Sequence, residues 1–338
     1  MSKITLYGLS RSGKTCYIHA MSQALGQGVD LGGRTYFTAV CPNPFQQAQL
    51  DAGYWRMTSG YWPVGTDVAT LYNFDLNYCM RLIQEIQIMD YRGGLLNTSN
   101  PTEAEAQDAI LNGAKGSGVL LFFLGADTVI DAMNFDPSAM AQINFCNALH
   151  SAYRKNESDW QKTPVMIVIS KSDIFESRGI NRTQAKEFII SRLRPFFGCG
   201  TNLTVGITMI SLGRNLTNYK GEISGDLIVG GTSGNLHIPL LFSAYNFFAQ
   251  EIESVTGELS ASYSSIGATR SALDRELGRS SFARFFVNNE STIRSTLERY
   301  ERNASASEQK RKDLVTVFDK IGSLLRDGAD IFVNGEKI

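Results

Sequence analysis

The sequence predicts an α/β fold: a mostly parallel sheet covered by helices in three layers, with one antiparallel edge hairpin and a helical C-terminal extension. Three observations predict it. Apolar, β-prone runs alternate with helical segments from Ile4 to about Gln250. A loop bounded by Gly8 and Gly13 joins the first of these runs to the first helix. From about Ser254 onward, helical spacing continues without strands.

Taken in order, residues 4–9 read as a strand and 14–25 as a helix. An insertion at about 26–65 follows, rich in glycine and aromatics (Tyr36, Phe37, Phe45, Tyr54, Trp55, Tyr61, Trp62). A structureless loop of that length is unusual, so secondary structure is expected within it, and its aromatics suit a sheet cover or a docking surface. Residues 70–78 and 82–89 are strands whose short connection, 79–81, requires an antiparallel hairpin. Helix 102–113, strand 118–125, helix 137–155, strand 165–170, helix 183–197, strand 203–210 and helix 240–254 complete the alternation. The Gly- and Ser-rich stretch 215–236 reads as a surface loop or small hairpin. In the tail, 271–277, 291–300 and 308–325 carry apolar residues at helical spacing, among them Leu314, Val317, Phe318 and Ile321. Ala304-Ser-Ala-Ser307 reads as a turn and N-cap before the last helix. The expected domains are 1–250 and a helical extension, 251–338.

The chain has 338 residues, enough for one large domain or two, and a net charge of -1. That balance argues against nucleic acid or an anionic membrane as the main partner. The longest strongly apolar stretch, 119–124, is far too short to span a bilayer, and a strand already begins the chain where a signal peptide would stand. A cytoplasmic location is the expectation. The five cysteines (Cys16, Cys41, Cys79, Cys146, Cys199) and three histidines (His19, His150, His237) are scattered without metal-ligand spacing. Reduced, mostly buried thiols and histidines with structural or surface roles are expected.

The stretch Gly8-Leu-Ser-Arg-Ser-Gly13-Lys14-Thr15 has the composition of a phosphate-binding P-loop, the Walker A pattern, between a strand and a helix. Backbone N–H groups of Ser10, Arg11, Ser12, Gly13 and Cys16, helped by the positive end of the helix, would wrap a polyphosphate. Lys14 would reach the terminal phosphates, and the Thr15 hydroxyl would hold Mg²⁺.

Two further signals follow in chain order. The apolar strand through Ile86-Gln-Ile-Met delivers Asp90, then Tyr91, Arg92, Gly93 and Gly94. A carboxylate at a strand's C-terminal end suits a Mg²⁺ site, and Gly93 lets a backbone N–H approach a γ-phosphate. Before the hairpin, Thr66 is placed to close over Mg²⁺ and phosphate, with Thr58, Ser59 and Thr70 as competing candidates. Farther on, a buried strand ends in Ser170-Lys171-Ser172-Asp173. A carboxylate there can accept from the N1–H and exocyclic amine of guanine, a pair of donors that adenine lacks. The stem of Lys171 can lie along the base, and the backbone of Ser211 and Leu212 can finish the pocket.

Together these residues resemble the translation-factor-related P-loop GTPases over about 3–250, and in particular the bacterial double-GTPase type of domain found in multi-protein conflict systems. The resemblance implies a P-loop NTPase three-layer sandwich that binds GTP or GDP with Mg²⁺. It further implies hydrolysis of the β–γ bond and a nucleotide-controlled switch acting on a protein partner or a second copy of the chain. By the same resemblance Lys14 binds phosphates, Thr15 and Thr66 ligate Mg²⁺, Asp90 holds it through water, Gly93 meets the γ-phosphate, and Lys171 and Asp173 read guanine.

Three departures matter. Ser170 stands where the family usually has Asn or Thr, a long segment precedes Thr66, and Gly94 replaces the usual water-orienting Gln or His. Arg11 is the candidate to supply what Gly94 lacks, with Arg92 as runner-up. The loop also resembles that of guanylate-binding proteins, in which an arginine at this position acts as an internal finger; such a group supplies roughly 10³–10⁵ in rate. Gly94 and Ser170 also fit a nucleotide-binding module with negligible hydrolysis, and an ATPase is a third reading.

Overall fold

The computed structural model describes residues 2–32, 35–63, 69–90, 114–158, 160–199, 202–219, 222–277 and 289–338. The expected helix at 102–113 lies outside them. The chain divides into two compact units, Met1–Ala244 with Ser323–Ile338, and Tyr245–Gly322.

Among the described residues, the first unit is built on a ten-stranded sheet of order β12-β11-β8-β7-β6-β1-β5-β4-β3-β2. Its centre is parallel: β1 (Ser2–Gly8) lies between β5 (Arg81–Asp90) and β6 (Val119–Gly125), followed by β7 (Val165–Ser170) and β8 (Thr204–Met209). Every residue of β6 and β7 is buried, the pattern of strands covered on both faces. On one face Phe122 packs with Tyr7, Ile167, Ile207 and Phe196 in one apolar cluster. On the other, Phe123 meets Tyr17 of α1 (Lys14–Gln27) with ring centroids 5.2 Å apart. The first face is covered by α3 (Ala126–Met133), α4 (Pro137–Asn156), α6 (Arg182–Arg192) and α7 (Arg194–Phe197). The sequence suggests one helix over 183–197; Pro195, with no amide hydrogen, ends the run and starts α7.

The expected hairpin is β4 (Thr70–Tyr78) against β5, joined through Cys79 and Met80, both with positive φ as a two-residue type I′ turn requires. It is not at the edge. The insertion folds into β2 (Val29–Asp30), β3 (Tyr36–Val40) and α2 (Pro44–Thr58), and β3 pairs antiparallel with the free side of β4. At the other margin β11 (Ala329–Val333) pairs antiparallel with β8, and β12 (Glu336–Lys337) with β11. The strand-free tail read from the sequence is corrected here: after a long helical excursion the chain returns to cover the edge of β8. The run Ala329-Asp-Ile-Phe-Val333 alternates only weakly, and Ile331 alone is buried.

The second unit consists of α8 (Ile238–Leu277) and α9 (Asn289–Gly328) over the residues assigned to it. Tyr245 stacks on Phe318 at 4.1 Å, Lys310 pairs with Glu251 at 2.9 Å, and Arg270 with Glu301 at 2.8 Å. Partners run in opposite order, so the helices are antiparallel. Val255, Leu259, Ile266 and Ala304 form the seam. This corrects the turn expected at Ala304-Ser-Ala-Ser307: those residues continue α9, because Ala304 is a strong helix former buried in the seam. Of the thiols expected to be mostly buried, Cys41 and Cys146 are buried, Cys16 is intermediate, and Cys79 and Cys199 are exposed. Among the described residues no helix is long and apolar enough to cross a membrane.

Candidate functional site

The loop from Gly8 to Lys14 connects β1 to α1 at the C-terminal end of the parallel strands, where open α/β sheets present ligand sites. Its path depends on two glycines. A Cβ at Gly8 would meet Ser12 Oγ at 2.6 Å and the Phe123 carbonyl oxygen at 2.7 Å. Gly13 is left-handed (φ 85°) and begins α1, and a Cβ there would press on Ser170 Oγ at 3.3 Å. Between them, exposed Arg11 is also left-handed (φ 67°), a conformation costly for a residue with a Cβ. Ser10 is exposed as well.

Lys14 turns back under the loop. Its Nζ donates to the carbonyl oxygens of Gly8 at 2.6 Å and Leu9 at 3.1 Å, and lies 3.4 Å from Ser12 Oγ. The residue is only 6 % exposed. Burial lowers its pKa to about 8, against a partial upward pull from Asp90. Thr15 follows, and its hydroxyl donates to Asp90 Oδ2 at 3.0 Å. Asp90 ends β5, fully buried, opposite Leu6 of β1 and Thr70 of β4. Two residues 75 apart are thus joined beside the loop, both presenting hard oxygens. The Cys16 thiol, pushed up to about 12 by burial, stays protonated.

Ser170 sits beneath the loop. Its hydroxyl donates to the Ser12 carbonyl oxygen at 2.7 Å and lies 3.4 Å from that of Leu124. The sequence marks this residue only as a departure from Asn or Thr; the structure gives its short side chain an anchoring role. Ser170→Ala is expected to cost about 1–2 kcal/mol by leaving a buried acceptor without its donor, read as a lowered urea midpoint.

Lys171 is left-handed (φ 57°) and its Nζ pairs with Asp127 Oδ2 of α3 at 2.6 Å. Asp173 opens the short helix α5 (Asp173–Ser177), buried to 4 % exposure. Burial pushes its carboxyl above the usual range, offset in part by the Leu216 amide, which donates to Oδ2 at 3.0 Å. Leu216 belongs to the hairpin of β9 (Gly213–Tyr219) and β10 (Glu222–Leu227). The Ser211 amide donates to the Gly234 carbonyl, and the Leu212 carbonyl accepts from Ile228.

The structure therefore brings Gly8–Thr15, Asp90 and Ser170 to one place, with Lys171 beside Asp127 and Asp173 under the hairpin. Thr66, Arg92, Gly93 and Gly94 lie outside the described residues. Sequence reading missed Asp127 and Leu216. Asp127 had one signal, an acidic residue opening a helix after a strand; Leu216 contributes only a backbone amide and had none. A cavity of about 180 Å³ adjoins Gly8–Ser12 and Lys171, walled by Phe122, Phe145, Cys146 and Leu149. Lys14, Thr15 and Asp90 do not line it, so it is separate from their meeting point. Among the described residues no group of three or more His, Cys, Asp or Glu side chains could hold a metal ion.

No protein-family model matches the sequence. No curated protein matches it either. One solved structure with some similarity is the signal recognition particle receptor SRb-GTP/SRX complex from Chaetomium thermophilum, at 14 % identity and a TM-score of 0.34, over 56 % of this chain and 78 % of that one. A TM-score of that size does not establish a common fold.

Proposed function

We propose that this chain is a Mg²⁺-dependent P-loop GTPase, a three-layer sandwich around the Gly8–Thr15 loop, that hydrolyses GTP and switches a protein partner. The observation that carries the proposal is the joint geometry of that loop: a glycine-shaped turn between strand and helix, Lys14 folded beneath it, and Thr15 3.0 Å from Asp90. Backbone N–H groups and the start of α1 suit a polyphosphate. Thr15 and Asp90 fit Mg²⁺, which takes few protein oxygens and completes its shell with phosphate and water. When bound, the ion would neutralise charge on the terminal phosphates.

In the chain itself, Lys14 would exchange the Gly8 and Leu9 carbonyls for phosphate oxygens. Arg11, exposed at the loop's crest, would fold its guanidinium over the transferring phosphoryl group. Asp173 and Lys171 would select guanine. Loss of phosphate would release the segments carrying Thr66 and Gly93, as in nucleotide switches generally. A role within a bacterial conflict or defence system fits the double-GTPase resemblance.

Single-turnover hydrolysis of radiolabelled GTP tests the proposal. Release of phosphate at a rate dependent on Mg²⁺ supports it. No release over hours despite tight binding would favour the second reading, a nucleotide-binding module, which the bare Gly94 supports. Preferential turnover of ATP would favour the third.

Lys14 adds a pH signature. Its pKa of about 8 in the free protein must rise when phosphate binds, because phosphate favours the ammonium. Affinity for GTP is expected to be flat below about pH 8 and to fall above it by up to about tenfold per pH unit, as binding then takes up a proton. Fluorescent-GDP titrations from pH 6.5 to 9.5 would show the break. Folding carries the opposite sign: the proton lost between about 8 and the ordinary 10.5 makes the Lys14 contribution to stability rise with pH in that window.

A further inference from the structure

The β9–β10 hairpin contains an irregularity at an informative place. Between the pairs Thr217↔Ser224 and Arg214↔Asp226, β9 holds two residues, Asn215 and Leu216, where β10 holds one, Gly225. Asn215 is left-handed (φ 51°) and Gly225 has φ 107°. A Cβ at Gly225 would strike the Asn215 carbonyl oxygen and come within 2.8 Å of that of Arg214. A bulge of this kind takes one amide out of the ladder and re-aims it. The Leu216 amide, so placed, donates to Asp173 Oδ2 at 3.0 Å.

The hairpin's far end is held as well. The Ile223 amide donates to the Gly60 carbonyl oxygen at 2.6 Å, and Glu222 bridges Tyr61. In the non-bonded pair with Asn218, the Ile223 N–H points away from β9, which frees it for Gly60. Arg56 Nε donates to the Trp62 carbonyl at 2.9 Å and fixes the same segment from α2. In sequence, residues 60–62 come shortly before Thr66, which lies outside the described residues. One bulged hairpin therefore holds Asp173 at one end and the backbone of residues 60–61 at the other.

We propose that this hairpin is the specificity element of the nucleotide site: the Leu216 amide positions Asp173 for guanine, and the hairpin tip couples base occupancy to residues 60–62. This rests on the GTPase reading above. Asn215 and Leu216 are positioning residues; neither touches a phosphate.

The test compares full-length Asn215→Val, Asn215→Gly and Ile223→Pro with wild type. The readouts are affinity for fluorescent GDP and ADP analogues, GDP release rate, affinity for inorganic pyrophosphate, and thermal midpoint. A β-branched valine resists the left-handed bulge that glycine accepts. Asn215→Val is expected to lower the GDP-over-ADP preference about tenfold, the scale of one hydrogen bond to a charged group, with pyrophosphate affinity unchanged. Asn215→Gly keeps the preference. Ile223→Pro keeps it too, but releases GDP about tenfold faster, because the Gly60 contact is gone. Should Asn215→Val fail to fold, Asn215→Ala carries the same comparison with a milder backbone conflict. Wild-type preference in Asn215→Val, or in Asn215→Ala where that replaces it, or wild-type release from Ile223→Pro, overturns the proposal while leaving the GTPase reading in place. Absence of any guanine preference in wild type overturns the GTPase reading itself.

Discussion

Replacing Lys14 with alanine is expected to weaken binding of GDP and GTP by about 10²–10⁴-fold. Each charge-assisted hydrogen bond from a buried ammonium to phosphate is worth about 1.5–3 kcal/mol, and this lysine can make two. In the free protein the side chain lies under the loop, bonded to the Gly8 and Leu9 carbonyls, which it would exchange for phosphate oxygens. Stability should change little. The variant loses those two bonds but also relieves a cation whose burial pulls its pKa down to about 8. Lys14→Arg is not expected to rescue binding, since a planar fork does not fit a space shaped for a compact ammonium. Titration with a fluorescent GDP analogue beside a thermal scan separates the two effects. Unchanged affinity would remove Lys14 from the site.

Arg11 carries the second large effect. Arg11→Ala is expected to slow single-turnover hydrolysis by about 10³-fold, within the range seen for arginine fingers, with nucleotide affinity changed less than about threefold. The backbone supports the assignment. Arg11 sits at φ 67° in a loop where glycine would be less strained. A costly conformation held at a candidate site is a reason to look for a role there. Arg11→Gly is therefore expected to stabilise the fold by about 1 kcal/mol while losing turnover, a trade of activity against stability. Chemical denaturation and a phosphate-release assay measure the two sides. Undiminished turnover in either variant would point to Arg92 or to a partner's group instead.

The parallel centre of the sheet and the loop were legible because both rest on local chemistry. β6 and β7 are continuous apolar runs, and the loop needs glycines at fixed offsets. The margins were not. β2 and β12 are two residues long, below what any periodicity can register, and they exist because a neighbouring strand offers an open edge. Tertiary context also decided Ala304, where a Ser- and Ala-rich stretch that suits a turn is held helical by the seam it packs into. At the site, side chains were easier to find than backbone. Asp90 and Asp173 were visible as carboxylates after apolar strands. The Leu216 amide that holds Asp173 was not, since any residue has an amide and only the Asn215–Gly225 bulge aims it.

The Gly8–Thr15 loop and Asp173 are proposed to form one guanine-nucleotide site. The most direct test is equilibrium titration of the full chain, with Mg²⁺ present, against fluorescent GDP, in competition with GTP, ATP and xanthosine triphosphate. Saturable one-to-one binding displaced by GTP far better than by ATP is expected, with a shift of preference to the xanthosine nucleotide in Asp173→Asn. Saturable binding in which Asp173→Asn leaves the GTP preference intact, or no saturable binding at all, would contradict the proposal.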